Sequence, residues 1–185
     1  DGDHSFGTNP CSEIILRDRQ FCNLSEVVVR HGDTYQDLRR KVEVATILGT
    51  LQSTLTDFRY LSKRWKENTA EERLLGVSLT GIMDSPMLSG SIQPAYVSDK
   101  DMLSLEGLLD VLKNKSIEVN DEWAKKIGIN PAAAITCVKP SGTVSQLVDS
   151  ASGIHPRYSD YYIRTVRADK KDPLAQMMVD KGFPV

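Results

Sequence analysis

Strands alternating with helices place this chain in the α/β class, with parallel strand pairing. Two observations carry that expectation. Short β-branched or apolar runs of strand length recur between longer segments whose apolar residues step by threes and fours. Gly and Pro punctuate the junctions between them.

The elements run in order along the chain. Residues 12–30 read as extended, with Ile14-Ile15-Leu16 and Val27-Val28-Val29 as strand-length runs. His31-Gly32-Asp33 is a turn signal, and Thr34 or Asp33 caps the first helix. A helical stripe then runs through Tyr35, Leu38, Val42, Ala45, Leu48, Leu51, Leu55, Phe58, Leu61 and Trp65, weakened at Gly49 and open to a break near Thr56-Asp57. Residues 74–80 read as a buried strand ending at Gly81, and Pro86, Gly90 and Pro94 mark irregular chain. A second helix fits residues 101–127, with Leu105, Leu108, Leu109, Leu112, Val119, Trp123 and Ile127 inward and Gly128 and Pro131 stopping it. Residues 132–138 read as another buried strand. Pro140-Ser141-Gly142 turns into a short helix start over 143–149. A strand over 161–166 and a helix over 172–181, with Met177 and Met178 in the core, complete the pattern.

Composition bounds the function. The 185 residues suit one domain or a large piece of one, and 40% hydrophobic residues are enough for a core. With 23 Lys+Arg against 25 Asp+Glu, the formal net charge is -2, which argues against a broad nucleic-acid surface. No apolar run approaches the roughly 20 residues that span a bilayer. The polar Asp1-Gly2-Asp3-His4 start is no signal peptide. Three scattered cysteines point to a reducing, cytoplasmic setting. The chain lacks an initial Met and stops at Gly182-Phe183-Pro184-Val185, and it reads as a segment of a longer polypeptide.

Three segments can carry chemistry. In Asn9-Pro10-Cys11-Ser12-Glu13, Pro10 stiffens the chain and biases Asn9 to an extended conformation. Alternate side chains of an extended stretch share a side, so Asn9, Cys11 and Glu13 project together. An amide can orient a hydroxyl, a carboxylate can take its proton, and a thiol can act on the adjacent carbon. Three alternating polar groups on a solvated edge give the same pattern. The second segment is Lys139-Pro140-Ser141-Gly142-Thr143-Val144-Ser145, between an expected strand and an expected helix. Free N–H groups at a helix start favour an anion, and Ser141, Thr143 and Ser145 add hydroxyls. An ordinary capped helix start reads the same. The third, 152–167, holds three arginines and three tyrosines and reads as a polar loop followed by a strand with one charged face. Zinc binding by Cys11, Cys22, His4 and His31 fails on spacing. Nothing local supports a Cys–His protease using His155. Cys137 sits in an apolar pattern and reads as a small core residue, and His4 and His31 as surface.

Together these stretches resemble ribonucleotide reductase, and within it the adenosylcobalamin-dependent (class II) branch. Thr8-Asn9-Pro10-Cys11-Ser12-Glu13-Ile14 looks like the finger-loop motif with the thiyl-radical cysteine. Phe21-Cys22-Asn23-Leu24 looks like the motif bearing one of two substrate-reducing cysteines. Residues 138–145 look like the loop that holds substrate phosphates, and 151–167 like the segment after it. The short interval from Cys11 to Cys22 and the Pro before Cys11 favour class II, and Ser12 stands where Gly or Ala is more usual.

The resemblance implies an α/β fold, the second half of a ten-stranded α/β barrel with a central finger loop. Residues 1–185 would be the C-terminal part of that catalytic domain, incomplete and inactive alone. It implies adenosylcobalamin as cofactor and a ribonucleoside di- or triphosphate as substrate. It also implies a thioredoxin-type reductant and a missing N-terminal portion as partners, with no nucleic acid and no membrane. Cys11 would be the radical residue, Glu13 the base, Asn9 the hydroxyl-orienting amide and Cys22 a reductant. The phosphates would lie on Pro140, Ser141, Gly142, Thr143, Val144 and Ser145, with no metal. The partner of Cys22 would lie upstream and is absent, and Cys137 is not assumed to replace it. Two other readings stand beside this one. One is a catalytically inert nucleotide-binding or assembly fragment that keeps the fold. The other is a glycyl-radical type of enzyme, which the lack of a glycyl-loop pattern disfavours.

Overall fold

The structure, a computed structural model, describes residues 5–91, 96–98, 101–102 and 104–185. Among the described residues, two antiparallel strand pairs, one parallel pair and five α-helices make it an α/β chain. A hairpin of β1 (Phe6–Thr8) and β2 (Ile15–Arg17) opens it, pairing antiparallel from Phe6↔Arg17 to Thr8↔Ile15. β3 (Asn23–Val28) lies parallel to β4 (Leu75–Thr80), in register from Asn23↔Leu75 to Val28↔Thr80. The crossover between them is made by α1 (Tyr35–Gln52) and α2 (Lys63–Glu72). Parallel strands need such a connection, because the chain must return to the same end of the sheet. A short hairpin, β5 (Tyr96–Ser98) with β6 (Asp101–Met102), precedes α3 (Leu105–Ile127). α4 (Val144–Leu147) and α5 (Pro173–Asp180) complete the chain.

The core lies on one face of β3 and β4. Val27, Val29, Leu75 and Val77 meet Leu38, Val42 and Ala45 of α1 and Leu108 and Leu112 of α3. Side chains alternate across a strand, so Cys22, Glu26, Gly76 and Ser78 fall on the opposite face. That face carries the candidate site. α1 begins at a capping box, in which Thr34 accepts from Asp37 N and Asp37 accepts from Thr34 N. Between α1 and α3 a buried polar bridge replaces apolar packing. Asn120 Nδ2 donates to Thr50 Oγ1 at 2.9 Å, and Asn120 Oδ1 accepts from Ala132 N at 2.8 Å.

The long helical stripe is two helices, because the chain leaves the helix at Ser53, where the N–H groups of Thr54 and Leu55 bond back in tight turns. The buried stripe of α1 turns through Thr46, Gly49 and Thr50, leaving Leu48 57% and Leu51 43% exposed. These threonines can be buried because each hydroxyl bonds the carbonyl one turn back, Thr46 to Val42 and Thr50 to Thr46. Gly49 packs against Leu75, so the glycine that weakens the helix also lets it approach β4. On α3 the buried stripe runs through Leu108, Leu112, Ser116, Val119, Asn120 and Ala124, and Leu109 and Ile127 are exposed. The expected start of this helix at 101 is occupied by β6, and the helix begins after the Ser104 cap.

Residues 132–138 are not a regular buried strand. They run beside β4 through one parallel bridge, Val77↔Thr136, and through Leu75 N to Ala134 O and Val77 N to Ile135 O, with only Ile135 buried. The expected strand over 161–166 is irregular and exposed, since it finds no partner edge among the described residues. Met177 and Met178 are also exposed, on an α5 that buries no residue. His31 is on the surface as expected, and His4 lies outside the described residues. No described helix is long and apolar enough to cross a membrane.

Candidate active site

The tip of the first hairpin is a tight loop and not the extended stretch expected from sequence. Ser12 N donates to Asn9 O at 2.9 Å, and Ser12 takes a left-handed φ of 63°. Asn9 N and Ile14 O then close the loop at 3.2 Å, and Asn9 Oδ1 accepts from Ile14 N. The turn, and not strand alternation, brings the side chains together. Asn9 Nδ2 donates to Glu13 Oε1 at 2.6 Å. Cys11 sits exposed at the tip.

The hairpin is held against α2. Arg17 pairs with Glu71 and Glu72, and Gln20 Nε2 donates to Glu72 Oε2 at 2.6 Å. Phe21 stacks on Trp65 with ring centres 4.7 Å apart and meets Phe58 at 5.0 Å. These contacts fix the chain just before Cys22, at the mouth of β3.

Lys139 links the loop to the strands; in the sequence it heads the segment of the expected phosphate loop, with no role of its own. Its Nζ lies 3.0 Å from Glu13 Oε1 and 3.6 Å from Cys11 Sγ, while its backbone N donates to Ser78 Oγ at 2.9 Å. The only sequence signal was a lysine next to Pro140. Burial alone would raise the Glu13 pKa. Backbone, Lys139 and Asn9 hydrogen bonds and the Lys139 charge outweigh that and hold it below the usual carboxylate value. Lys139 is raised in turn, chiefly by its hydrogen bond to Glu13. Glu26, on the same face, is raised by burial despite Thr80 and Lys139.

Cys22 and Cys137 both approach Gly76. A Cβ on Gly76 would lie 2.5 Å from Leu24 Cδ2, 3.1 Å from Cys137 Sγ and 3.2 Å from Cys22 Sγ. The missing side chain is what leaves room for both sulfurs. Burial, then the neighbouring Cys137 and Glu13, push the Cys22 thiol up to about 12. Cys137 is raised by burial and by Glu13, against Lys139. It is half-buried beside the site, a position its apolar sequence context did not indicate.

The loop after Lys139 is only partly open. Ser141 Oγ pairs with Ser152 Oγ at 2.8 Å, and the fully buried Ser145 Oγ donates to Gly142 O at 2.9 Å. Those two hydroxyls hold the loop together. The Thr143 side chain is exposed, and the N–H groups of Gly142 and Thr143 bond no described residue. The following segment is clamped on the end of β4. Thr80 Oγ1 donates to Ala151 O and accepts from Gly153 N, and Arg157 pairs with Asp84 and Asp149. Burial would raise Asp84, but Arg157 and the Ala151 N–H hold its pKa low.

No family model matches the chain. Curated relatives do. The adenosylcobalamin-dependent ribonucleoside-triphosphate reductase of Lactobacillus delbrueckii subsp. bulgaricus is 29% identical over 99% of this chain and 26% of its own length. That of Lactobacillus acidophilus is 29% identical over 96% of this chain and 25% of its length. The crystal structure of a B12-dependent (class II) ribonucleotide reductase matches with a TM-score of 0.64 and 25% identity, over 84% of this chain and 23% of that one. The chain resembles the B12-dependent ribonucleotide reductases. It spans about a quarter of the length of these reductases. The likeness to the class II reductase structure supports the α/β class read from the sequence.

Proposed function

We propose that residues 1–185 are the C-terminal part of the catalytic barrel of a class II ribonucleotide reductase, a ten-stranded α/β barrel. The hairpin of β1 and β2 is its finger loop. The complete enzyme reduces a ribonucleoside di- or triphosphate to the 2′-deoxyribonucleotide. The observation that carries this reading is the convergence of Asn9, Cys11, Glu13 and Lys139 at the hairpin tip. The Lactobacillus reductases, similar over almost all of this chain, favour the triphosphate.

Each residue has a part that its surroundings support. Cys11, as a thiyl radical, takes the 3′ hydrogen of the ribose. Its exposure at the tip fits a bulky radical source that must approach from outside. Adenosylcobalamin, when bound, supplies the radical that oxidises Cys11. Glu13, held ionised, takes the 3′-hydroxyl proton, and Asn9 keeps its carboxylate oriented. Cys22 and a partner thiol from the N-terminal portion give up two hydrogens. Water leaves C2′ and a disulfide forms, which a thioredoxin-type reductant reopens. A Cys22 pKa near 12 keeps that thiol protonated until it reacts. Substrate phosphates lie on the loop of residues 140–145, at the exposed Thr143 and the N–H groups of Gly142 and Thr143, while the Ser141 and Ser145 hydroxyls shape that loop.

The test uses the full-length polypeptide that carries this segment. Cys11→Ser abolishes deoxynucleotide formation, and retained turnover overturns the thiyl assignment. Cys22→Ser keeps tritium exchange from the 3′ position but loses product. Normal product under thioredoxin recycling refutes its role as reductant.

A further inference from the structure

We propose that Lys139 is a positioning residue of this reaction, whose ammonium group keeps Glu13 ionised and pins the Cys11 sulfur beside it. The inference rests on the proposed reductase reading of the site. Its basis is one side chain that touches both groups, Glu13 Oε1 at 3.0 Å and Cys11 Sγ at 3.6 Å. The side chains of the ion pair are 23% and 9% exposed, so the contact is shielded from water and less screened than a surface pair. Lys139 is itself anchored to β4 through Ser78 Oγ. A single residue thus joins the hairpin tip, the parallel strands and the loop that begins at Pro140.

The arrangement divides the Glu13 carboxylate. Oε1 takes both Asn9 Nδ2 and Lys139 Nζ, while the buried Oε2 has no partner among the described residues. Asn9 and Lys139 therefore hold the carboxylate together through one oxygen. Without the ammonium group a shielded carboxylate keeps only neutral donors, and burial favours its protonated form. The titratable groups facing Lys139 are Cys11, Glu13, Glu26 and Cys137. Of these only Glu13 and Cys11 touch it. An ammonium engaged in this way is not free to act as a simple phosphate ligand.

Two measurements on the full-length polypeptide decide it. The first is zero-length carbodiimide coupling read by peptide mass spectrometry, which needs no activity. A Lys139–Glu13 isopeptide is expected, with Lys126–Glu122 as the surface control pair. Coupling of the control without the Lys139–Glu13 product overturns the proposal. The second compares Lys139→Met and Lys139→Arg in ribonucleotide reduction. Lys139→Met lowers kcat about tenfold or more, with KM for the nucleotide changed less than about threefold, and moves the acid limb of the pH profile to higher pH. Lys139→Arg keeps the acid limb in place. An unmoved limb in Lys139→Met, or a loss confined to KM, also overturns it. A wild-type enzyme that couples Lys139 to Glu13 but reduces no ribonucleotide refutes the functional reading and not the contact. In that case the proposed role in this reaction falls with the reading.

Discussion

Asn9 and Glu13 lock the tip of the first hairpin, the Asn9 amide nitrogen donating to Glu13 Oε1 at 2.6 Å while its oxygen accepts from Ile14 N at 3.2 Å. One side chain therefore shapes the loop and tunes its carboxylate. Asn9→Ala removes both bonds. Because the folded Glu13 pKa lies below its usual value, the stability it contributes is present above that usual value. It is lost as pH falls through the folded pKa. Loss of Asn9 raises the folded pKa, so both that stability and the acid limb of activity fail at higher pH in the variant. A charge-assisted bond is worth about 1.5–3 kcal/mol, which sets the upper range of the destabilisation. Denaturation midpoints at pH 7 and pH 4 and a pH–rate profile check it.

Ser12 adopts φ 63°, where a side chain costs about 1–2 kcal/mol. Ser12→Gly relieves that strain and gives back part of it in unfolded-chain entropy, about 0.5–1 kcal/mol. The expected result is a neutral to slightly higher denaturation midpoint with the activity kept. Ser12→Val, β-branched in a left-handed conformation, lowers the midpoint. A midpoint for the valine variant equal to that of glycine contradicts the loop geometry.

Much of this was legible in sequence, and the failures have physical causes. The parallel pair of β3 and β4 and the capped α1 could be read from period and cap residues, which are local signals. The burial of Thr46 and Thr50 in place of Leu48 and Leu51 could not, because a hydroxyl bonded to its own helix hides its polarity. Residues 132–138 and 161–166 looked like strands because β-branched residues favour them. A strand exists only where an edge is offered, and 132–138 bridge β4 at a single point. In the site, Asn9, Cys11 and Glu13 were found from their clustering in the chain. Lys139 lies 126 residues beyond Glu13 and Gly76 carries no side chain, so only the fold could bring them in.

Gly76→Ala tests the space between the sulfurs. The added methyl meets Leu24 at 2.5 Å and both cysteine sulfurs near 3 Å. Overpacking of this kind costs about 1–3 kcal/mol. Cys22 is displaced, and product formation falls more than 3′ hydrogen exchange. Leu24→Ala on the Gly76→Ala background restores stability by removing the worst contact, but leaves the sulfur contacts. A Gly76→Ala protein with wild-type stability and product yield rules out the close approach.

The Cys22 thiol, pushed up to about 12 by burial, should resist alkylation. Against an ordinary cysteine near 8.5, its thiolate is scarcer at pH 8 by roughly a thousandfold. Iodoacetamide labelling of the reduced protein, quantified on the Cys22 peptide, should be slower than that of an unfolded control by at least about a hundredfold. It should still be rising with pH at pH 10. A rate that levels off near pH 9 contradicts the buried, protonated thiol.

The loop after Lys139 separates two kinds of hydroxyl, and the separation can be measured. The exposed Thr143 stands beside the N–H groups of its own residue and Gly142, which bond no described residue, so a phosphate oxygen can accept from all of them. Ser145 is buried and already donates to Gly142 O at 2.9 Å. Thr143→Val therefore weakens nucleotide binding by roughly tenfold, which is ~1.4 kcal/mol, and leaves thermal stability near wild type. Ser145→Ala removes a bond that shapes the loop. It costs about 0.5–1.5 kcal/mol of stability and weakens binding only through the loosened loop. Gly142 holds φ 57° with open space around it, so a side chain there is strained by the backbone and not by contact. Gly142→Val should then lose both stability and nucleotide affinity. Calorimetric titration of the nucleotide and a melting curve for each variant separate these outcomes. Equal affinity losses in Thr143→Val and Ser145→Ala, with no change in stability for either, sink the division of roles.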